Sequence, residues 1–381
     1  MSLVDVQTAP VVKANWLARA DRLAIEIAPQ AMPHDENETF VSDSLRRLKD
    51  EGFFKALVPE EFGGGGATLT EICQAIRRLG AGCGSTALAF SMHTHLVAAA
   101  VWRWRHQKAP MEGLLKRVAG ENLILVSSGG SDWLNSSGTA VKTEGGFLIN
   151  ARKVFSSGAP LGDLLMTSAV YDDPEAGATV LHFAVPLRSK GVKILDTWRV
   201  MGMRGTGSHD VDLKDVFVAD AAISGKRPQG KWHPLFHIIS MIAMPAVYSA
   251  YVGVAESARA KAFEIARKKP NDGHQPYLVG EMENAFTRAT LALEQMITIA
   301  EAATPSPDTT SRTMVCRTLA GQGAIETVER AMEVAGGASF YRGLGLERLF
   351  RDVQGARFHP LREKEQLRFT GRLAMGLDID G

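Results

Sequence analysis

WRVMGMRGTGSHDVDLKDVFV, residues Trp198–Val218, is the stretch that decides the fold. The spacing of Gly202, Gly205 and Gly207 resembles that of the glycines in a dinucleotide-binding loop. Such a loop leads from a strand into a helix, whereas the residues after these glycines read as another short strand. The stretch therefore predicts β structure in the middle of the chain and argues against a dinucleotide-binding fold.

The same two-residue period extends over the surrounding part of the chain. TAVKTE, a Gly145-Gly146 pair and FLINARKVF together form a hairpin signal. More short apolar segments, separated by Gly, Pro and Asp, continue the pattern: DLLMTSAVY, TVLHFAVPL and VKILDTW. We expect an antiparallel β-barrel over residues 119–222.

Helical periodicity flanks this region on both sides. In residues 1–118, apolar residues from Trp16 to Ile27 recur at helical spacing and predict an all-helical domain. In residues 223–381, four segments with apolar stripes predict a four-helix bundle. The predicted fold class is α+β, with an N-terminal helical domain, a middle antiparallel β-barrel and a C-terminal four-helix bundle.

Composition limits the classes of function. The 381 residues are 45% apolar and 22% charged, which is typical of a soluble globular protein. A formal net charge of +1 provides no broad field for nucleic acid or an anionic membrane. Three scattered cysteines show neither disulfide nor metal-ligand spacing. With no secretory signal and no uninterrupted apolar run of about 20 residues, the sequence predicts a cytoplasmic protein without a metal site.

Three motifs stand in order along the chain: VPEEFGGGGAT at 58–68, the stretch at 198–218, and GGASFYRGLGLERLFRDVQG at 336–355. They resemble the N-terminal loop, the strand pair closing the β domain and the segment leading to the active site in the acyl-CoA dehydrogenase superfamily of flavoproteins. The resemblance covers nearly the whole chain. It implies a flavin between the β domain and the bundle, with FAD as the expected cofactor and FMN as the alternative.

The resemblance also implies which residues meet the flavin ring system. Phe155 and Ser157, in KVFSSGA, occupy positions that face the isoalloxazine, where Ser157 is placed to donate a hydrogen bond and Phe155 to cover a ring face. Ser131, in GGSD, lies in the loop that usually meets flavin or substrate. The alternative for Ser157 is a serine that only satisfies a strand end.

The rest of the cofactor is implied to lie at the bundle. Arg267 matches an arginine that reaches the flavin pyrophosphate of a neighbouring subunit; the alternative is a solvated charge near a helix end. Glu333, Gly336 and Gly337 match a glutamine-and-glycine segment beside the adenosine. Glu333 departs from the usual glutamine, and a carboxylate beside a diphosphate is electrostatically unfavourable. A site completed across subunits implies a homotetramer, with a dimer as the alternative.

The base that most members of this superfamily use is missing. Their dehydrogenation needs a glutamate that takes the α-proton of an acyl-CoA thioester and whose backbone N–H polarises the thioester carbonyl. Counted from Arg351-Asp352, that position falls on Pro360 or Leu361, and proline has neither a carboxylate nor an N–H. The second location in the family, early in the first bundle helix, falls near Ala243.

A different branch of the superfamily has a histidine there instead. Two-component flavin monooxygenases, of the dibenzothiophene monooxygenase and hydroxyphenylacetate hydroxylase type, also carry a Ser-Gly-Ala run and a histidine before the β domain. Here these are His359, Ser157–Ala159, and His93 or His95. The likeness implies catalytic roles for His359, His93 and Ser157, reduced flavin from a partner reductase, and an apolar or aromatic substrate. Histidine suits hydrogen bonding and proton transfer near neutral pH.

Two other functions stay open on the sequence. The chain is an acyl-CoA dehydrogenase, with an electron-transfer partner, if Glu363 or Glu365 swings inward as a displaced base. Charged residues at the start of a helix are, however, more often solvated. It is a non-catalytic flavoprotein if the fold persists without the chemistry. For His93 and His95 the ordinary alternative is that of buried structural histidines.

Overall fold

The computed structural model describes residues 15–128, 130, 133–268 and 272–381. The first part of the chain is helical, as predicted, and the apolar stripe from Trp16 to Ile27 forms the buried face of the first helix. The α-helices of this part are α1 (Trp16–Glu36), α2 (Ser42–Asp50), α3 (Leu69–Gly82), α4 (Gly84–Gln107) and α5 (Glu112–Gly120).

The start of α3 is fixed by a capping box. Thr68 Oγ1 accepts a hydrogen bond from Glu71 N at 3.1 Å, and Glu71 Oε2 accepts one from Thr68 N at 2.8 Å. These bonds satisfy two amides that the helix start leaves without partners. Helix α4 follows directly and consists largely of small and apolar residues, most of them buried. It packs on the first strand of the sheet and carries His93 and His95.

The middle part of the chain forms one sheet. Its hairpin signal is confirmed, because Thr143 pairs with Gly146 across a two-residue turn in which Gly145 has a φ of 70° that favours glycine. The strands are β1 (Leu125–Ser127), β2 (Thr139–Thr143), β3 (Gly146–Lys153), β4 (Leu164–Asp173), β5 (Gly177–Pro186), β6 (Val192–Ile194), β7 (Val211–Ala219) and β8 (Gly225–Pro228).

This sheet is not the closed antiparallel barrel that the sequence predicted. Over the described residues the strands pair in the order β6-β7-β3-β2-β4-β5-β8, so that the short strands β6 and β8 are open edges. In addition, β1 pairs with β4 in parallel, and β2 meets β4 in parallel at Thr139 and Val170. A two-residue period identifies strands but does not say which strands pair, and so it does not constrain closure.

The last part of the chain is helical, which confirms the predicted character of the C-terminal domain. Three long helices pack on one another, α10 packs on α8, and the short α9, which periodicity did not predict, packs on α6 and α8. Helix α6 also packs on α3 and α4 and so joins the two helical domains. The helices are α6 (Pro234–Ala266), α7 (Gln275–Ala302), α8 (Pro307–Ala335), α9 (Leu346–Val353) and α10 (Glu363–Ala374).

Helix α6 is long and apolar enough to cross a membrane by composition alone, and within the described ranges it is the one helix of this kind. Of its most apolar window, however, 94% is buried inside the protein. Packing against α3, α4, α7 and α8 accounts for that burial. The helix is therefore the central element of the core.

Helix α9 joins the three parts of the chain. Arg351 Nη1 donates to Asp35 Oδ1 in α1 at 2.9 Å, and Asp352 Oδ1 accepts from Met203 N, before β7, at 2.5 Å. Arg348 Nη1 donates to the other oxygen of Asp352 at 3.3 Å. Burial raises the pKa of Asp352, and the nearby Arg348 opposes that shift. The arginine-aspartate pair thus fixes the start of the segment that carries His359.

Candidate active site

The His359 ring is held by a tyrosine of the central helix. Tyr251 Oη, on α6, lies 2.7 Å from His359 Nε2, and the two ring centroids are 5.4 Å apart. A glycine makes this contact possible, because a Cβ at Gly355 would lie 2.6 Å from Tyr251 Oη. Tyr251 is fully buried, whereas His359 stays partly exposed. One edge of the imidazole is therefore fixed by the protein.

The backbone around His359 is held by two more buried side chains. Arg317, on α8, donates through Nη2 to His359 O at 2.6 Å and to Ala356 O at 3.2 Å. Tyr248, one turn before Tyr251, donates its hydroxyl to Ala356 O at 2.7 Å, and Arg317 lies over its ring at 5.3 Å. Buried donors that bind both carbonyls, those of Ala356 and His359, give the segment one well-defined position.

Both groups of the Tyr251–His359 pair are neutral at pH 7. Burial, with the nearby Arg317 and His95 acting in the same direction, lowers the pKa of His359 to about 3. Burial also raises the pKa of Tyr251 well above its usual value, with Tyr248 acting in the same direction. Among the described residues, none of the groups that shift the pKa of His359 is a carboxylate.

His93 is engaged by backbone groups on both sides. Its Nδ1 accepts from Leu125 N at 2.9 Å and its Nε2 donates to Phe54 O at 2.6 Å. The side chain is 2% exposed, and burial lowers its pKa to about 4. The ring connects the N-terminal domain to β1 and has no nitrogen left for a ligand. A catalytic role for His93 stays a prediction that this geometry does not favour.

His95 is the histidine of α4 that acts on His359. Its Nδ1 lies 3.2 Å from Ser91 O in its own helix, and burial lowers its pKa to about 4. It is one of the two charged or titratable groups that shift the pKa of His359, and His93 is not among them. Of the two histidines, His95 is therefore the one whose charged form lowers the pKa of His359.

The β domain presents an exposed aromatic ring. Phe155 follows β3 with a φ of 56° and is 51% exposed, and its ring meets the edge of Trp198 at 6.0 Å. A left-handed backbone at a residue with a large side chain costs about 1–2 kcal/mol. Strain of this kind is held in place by surrounding structure and concentrates at functional sites. It marks the turn after β3 as a site candidate.

Ser157, two residues later, belongs to a row of buried hydroxyls. Ser157 Oγ lies 2.7 Å from Ser208 Oγ, which lies 2.7 Å from Thr206 Oγ1. Ser157 itself is 9% exposed, at the margin between this row and the surface. Its hydroxyl is thus tied to the loop before β7 rather than to a strand end.

The residues implied for the cofactor tail lie elsewhere. Arg267 is exposed at the end of α6, and Glu333 is exposed near the end of α8, where it accepts from Arg330 Nη1 at 2.8 Å. Gly336, with a φ of 61°, and Gly337 follow in open space. Glu333 is 16 positions along α8 from the buried Arg317, or about 24 Å. Ser131 lies outside the described residues.

Sequence reasoning missed the side chains that hold His359. Tyr248 and Tyr251 stand in the apolar segment YSAYVGVAESA, which reads as core, and Arg317 stands in an ordinary helical stripe. One signal was available: Arg317 is a charged residue on a helix face that is buried in the structure. Because a buried arginine needs hydrogen-bond acceptors, it indicates polar groups nearby.

Three family models match the sequence of the chain. They describe the N-terminal domain of acyl-CoA dehydrogenase at residues 18–116, its middle domain at 127–216 and its C-terminal domain at 244–363. The chain belongs to the acyl-CoA dehydrogenase superfamily. As a member of this superfamily it is a flavin-dependent oxidoreductase, and its cofactor is a flavin.

Curated relatives within the superfamily carry different chemistries. A putative acyl-CoA dehydrogenase, YdbM of Bacillus subtilis strain 168, is 27% identical and the match covers 91% of this chain and 93% of YdbM. The amino sugar nitrososynthase RubN8 of Streptomyces rubradiris is also 27% identical, over 99% of this chain and 93% of RubN8. Sequence likeness to whole relatives therefore does not separate dehydrogenation from oxygenation.

Solved structures agree with the fold over nearly its full length. KijD3, in complex with FMN and dTDP-3-amino-2,3,6-trideoxy-4-keto-3-methyl-D-glucose, matches with a TM-score of 0.88 and 25% identity over 98% of this chain and 96% of KijD3. Dibenzothiophene monooxygenase TdsC of Paenibacillus sp. A11-2 matches with a TM-score of 0.84 and 19% identity over 97% and 99%. At that identity, TdsC supports the fold alone.

The residues at the turn after β3 fit a flavin ring system. An exposed Phe155 ring beside Trp198 offers an apolar face, and Ser157 offers a polar group two residues away. A planar heteroaromatic ring needs both, a face to stack on and a partner at its edge. The segment that carries His359 follows α9, which contacts both other domains through Arg351 and Asp352.

Proposed function

We propose that this enzyme is a reduced-flavin monooxygenase that oxygenates an apolar or aromatic small molecule. The observation that carries the proposal is the identity and setting of His359. It occupies the segment in which the superfamily places its catalytic glutamate. Its ring is held by Tyr251, and no carboxylate of the described chain acts on its pKa.

Neither family location for the dehydrogenase base offers an acid. Pro360 has no N–H for a thioester carbonyl, and Leu361 is a buried apolar side chain. In α6 the second location falls on Ala243 and Met244, both 4% exposed and neither able to take a proton. Dehydrogenation would need a carboxylate that these positions do not have.

A bound reduced flavin would supply the two electrons needed to activate dioxygen. Phe155 and Trp198 would cover the ring system, and Ser157 would bind its edge. The apolar interior of α4 and α6 would exclude water, which protects reactive species from side reactions.

His359 would act as a neutral hydrogen-bond donor. The buried hydroxyl of Tyr251 needs an acceptor, and within the described residues His359 Nε2 is the one in contact. If Tyr251 donates to Nε2, the ring proton resides on Nδ1 and faces away from Tyr251. Because its pKa is lowered, the ring is neutral at pH 7 and can donate to a ligand oxygen there.

The cofactor and its supply are part of the proposal. We favour FMN over FAD, because Glu333 and its ion pair with Arg330 would place a carboxylate where the FAD tail is expected, and because KijD3 was crystallised with FMN. A separate reductase would deliver the reduced flavin. The nitrososynthase relatives support an amine nitrogen as a further substrate class to test.

We propose a homotetramer, with a dimer as the alternative. Phe340 and Tyr341, directly after Gly336-Gly337, are 88% and 75% exposed, and Tyr277 at the start of α7 is 76% exposed. Gln275 Nε2 donates to Val334 O, which brings the start of α7 to the end of α8. Exposed aromatic patches of this kind mark contact surfaces.

The cysteines of the described residues are free, which supports a reducing cytoplasm.

The test is a single-turnover reaction with chemically reduced FMN or FAD, dioxygen and a panel of apolar, aromatic and amine compounds. We expect one product that contains an oxygen atom from dioxygen, detected by mass spectrometry with isotopic oxygen. His359→Leu should lower its yield by about 100-fold, since removing one preorganised donor has effects of that size. Hydrogen peroxide without product across the panel, with either flavin, would count against the proposal.

Acyl-CoA dehydrogenation is the second candidate, and the position of Glu363 keeps it open. Glu363 begins α10 and is partly buried, four residues after His359. Glu365 is less suited, because it is exposed and caps α10 through Arg362 N at 3.1 Å. YdbM supports this candidate by sequence. Bleaching of the bound flavin by an acyl-CoA without oxygen, lost in Glu363→Gln, would establish it.

A further inference from the structure

We propose that Thr206 and Ser208 are positioning residues that make Ser157 a hydrogen-bond acceptor, so that the site binds reduced flavin in preference to oxidised flavin. The inference rests on the proposed function in one respect, the placement of Ser157 at the edge of the flavin ring. The rest follows from three hydroxyls and one carbonyl of this chain.

The three hydroxyls form an unbranched row that ends on a carbonyl. Ser157 Oγ and Ser208 Oγ are 2.7 Å apart, and so are Ser208 Oγ and Thr206 Oγ1. Thr206 Oγ1 lies 3.0 Å from Met203 O. All three hydroxyl residues are buried, Thr206 completely. Each contact has the length of a hydrogen bond.

The carbonyl fixes the direction of every bond in the row. A carbonyl oxygen can only accept, so Thr206 donates its single hydroxyl proton to Met203 O. Thr206 then has no proton for Ser208, and Ser208 must donate to Thr206. By the same argument Ser157 donates to Ser208. Any other assignment leaves two buried oxygens in contact with no proton between them, which is unfavourable.

Neighbouring groups do not reverse this direction. Met203 O also accepts from Thr206 N at 3.1 Å and from Trp198 Nε1 at 3.2 Å, so that donors surround it. At the other end, the amide of Ser157 donates to Phe155 O at 3.0 Å and does not compete for the hydroxyl. The proton of Ser157 is therefore committed to the interior.

Ser157 consequently presents lone pairs, and not a proton, to a ligand. This differs from the sequence-based expectation that Ser157 donates. The ring nitrogen N5 of a flavin accepts hydrogen bonds in the oxidised state and carries a hydrogen in the reduced state. An acceptor at that edge stabilises the reduced state, which is the form that a partner reductase would deliver.

The test measures the affinity of the full chain, freed of any co-purified flavin, for oxidised and reduced FMN under anaerobic conditions. In Ser208→Ala the proton of Ser157 loses its acceptor and is free to point at the ligand. We expect oxidised FMN to bind about tenfold more tightly, roughly the contribution of one hydrogen bond, while the affinity for reduced FMN changes little. In Thr206→Val the proton of Ser208 loses its acceptor and can turn to Ser157, which frees the proton of Ser157 in turn. This variant should therefore also bind oxidised FMN more tightly.

Ser156→Ala is the matched control. Ser156 is fully buried next to Ser157 but donates to Lys153 O at 3.3 Å, outside the row. We expect this variant to leave the ratio of the two affinities unchanged, and a purely structural defect at Ser208 would weaken both forms alike. Tighter binding of oxidised than reduced FMN by the unaltered protein overturns the inference. So does an unchanged ratio in both Ser208→Ala and Thr206→Val.

Failure of this inference and failure of the proposed function give different results. The affinity measurement uses neither dioxygen nor substrate, and so it reports the direction of the hydroxyl row alone. Preferential binding of reduced FMN without any oxygenated product would support the proposed hydroxyl row and contradict the proposed function. An oxygenated product without preferential binding of reduced FMN would support the proposed function and contradict the role of Thr206 and Ser208.

Discussion

A single tyrosine hydroxyl decides which nitrogen of His359 carries the proton. Tyr251→Phe removes that hydroxyl and keeps the ring, so Nε2 loses its donor and the tautomer is no longer fixed. We expect the ring-nitrogen NMR shifts of His359 to move from the Nδ1–H form toward the Nε2–H form. Turnover should fall by about tenfold, the value of one buried hydrogen bond.

Tyr248→Phe is the control for this prediction. Tyr248 is buried one turn earlier on the same helix, but its hydroxyl donates to Ala356 O at 2.7 Å and not to the histidine ring. It should lower stability without changing the tautomer of His359. Identical NMR shifts in the unaltered protein and Tyr251→Phe would show that Tyr251 does not set the tautomer.

Buried neutral histidines make the folded state sensitive to acid. The folded pKa of His93 is about 4, against 6.5 for an unperturbed histidine. Below pH 6.5 the unfolded chain therefore binds a proton that the folded chain does not bind until about pH 4. The free energy of unfolding should fall across this window by about 1.4 kcal/mol per unit of pKa difference.

Urea unfolding at pH 7.5 and pH 5 measures this effect. His93→Gln, which cannot titrate, should be less stable at pH 7.5 but should lose less stability on acidification than the unaltered protein. An equal loss in both proteins would mean that His93 is not the source of the pH dependence.

Sequence could not choose between His93 and His95. Residues two apart on a helix point about 200° apart, so that only one of the pair can face a given partner. Which one does so depends on Leu125 and Phe54, which contact His93 from distant parts of the chain. Tyr251 was hidden for the same reason, because its partner lies 108 positions later.

At the scale of secondary-structure elements, α9 connects the three domains. Asp352→Asn removes a charge that Met203 N and Arg348 both contact. Among the described residues this is the anion paired with the buried guanidinium of Arg348. We expect a loss of about 3 kcal/mol in the free energy of unfolding, as for a broken buried ion pair. Urea unfolding checks the value, and flavin binding should weaken with it.

The exposed pair Lys142–Asp220 is the control. Its atoms are 2.6 Å apart, but both side chains are about half exposed. Asp220→Asn should change stability by less than about 1 kcal/mol. If Asp352→Asn lowers the free energy of unfolding no more than Asp220→Asn does, the contacts of α9 do not hold the domains together.

The elements themselves were largely readable from sequence, and their partners were not. Periodicity identified the helices of both flanking domains and the hairpin around Gly145, because those signals are local. The open sheet was missed because its strand pairing is not local: β1 pairs with β4, and the paired residues are 39 positions apart. Helix α9 was missed because two of its five buried residues, Arg348 and Asp352, are charged. Asp352 is satisfied by Met203 N, 149 positions away, which sequence could not show.

At the scale of the whole molecule, three domains meet at α9, and the segment after it carries His359, with Pro360 and Leu361 next to it. The family and the fold follow from motifs spread along the chain, which is why sequence alone identified them. The reaction depends on what occupies one short segment between α9 and α10. There the structure adds Tyr251 and Arg317 in contact with His359, and none of the groups that shift its pKa among the described residues is a carboxylate.

Exchange of the α-protons of an acyl-CoA in heavy water tests the central claim most directly, because it reports a proton acceptor independently of electron transfer. The holoenzyme should incorporate no deuterium beyond the rate in buffer, as measured by mass spectrometry over a range of chain lengths. Deuterium uptake at the α-carbon that disappears in Glu363→Gln would show that a carboxylate base is present, and it would contradict the account.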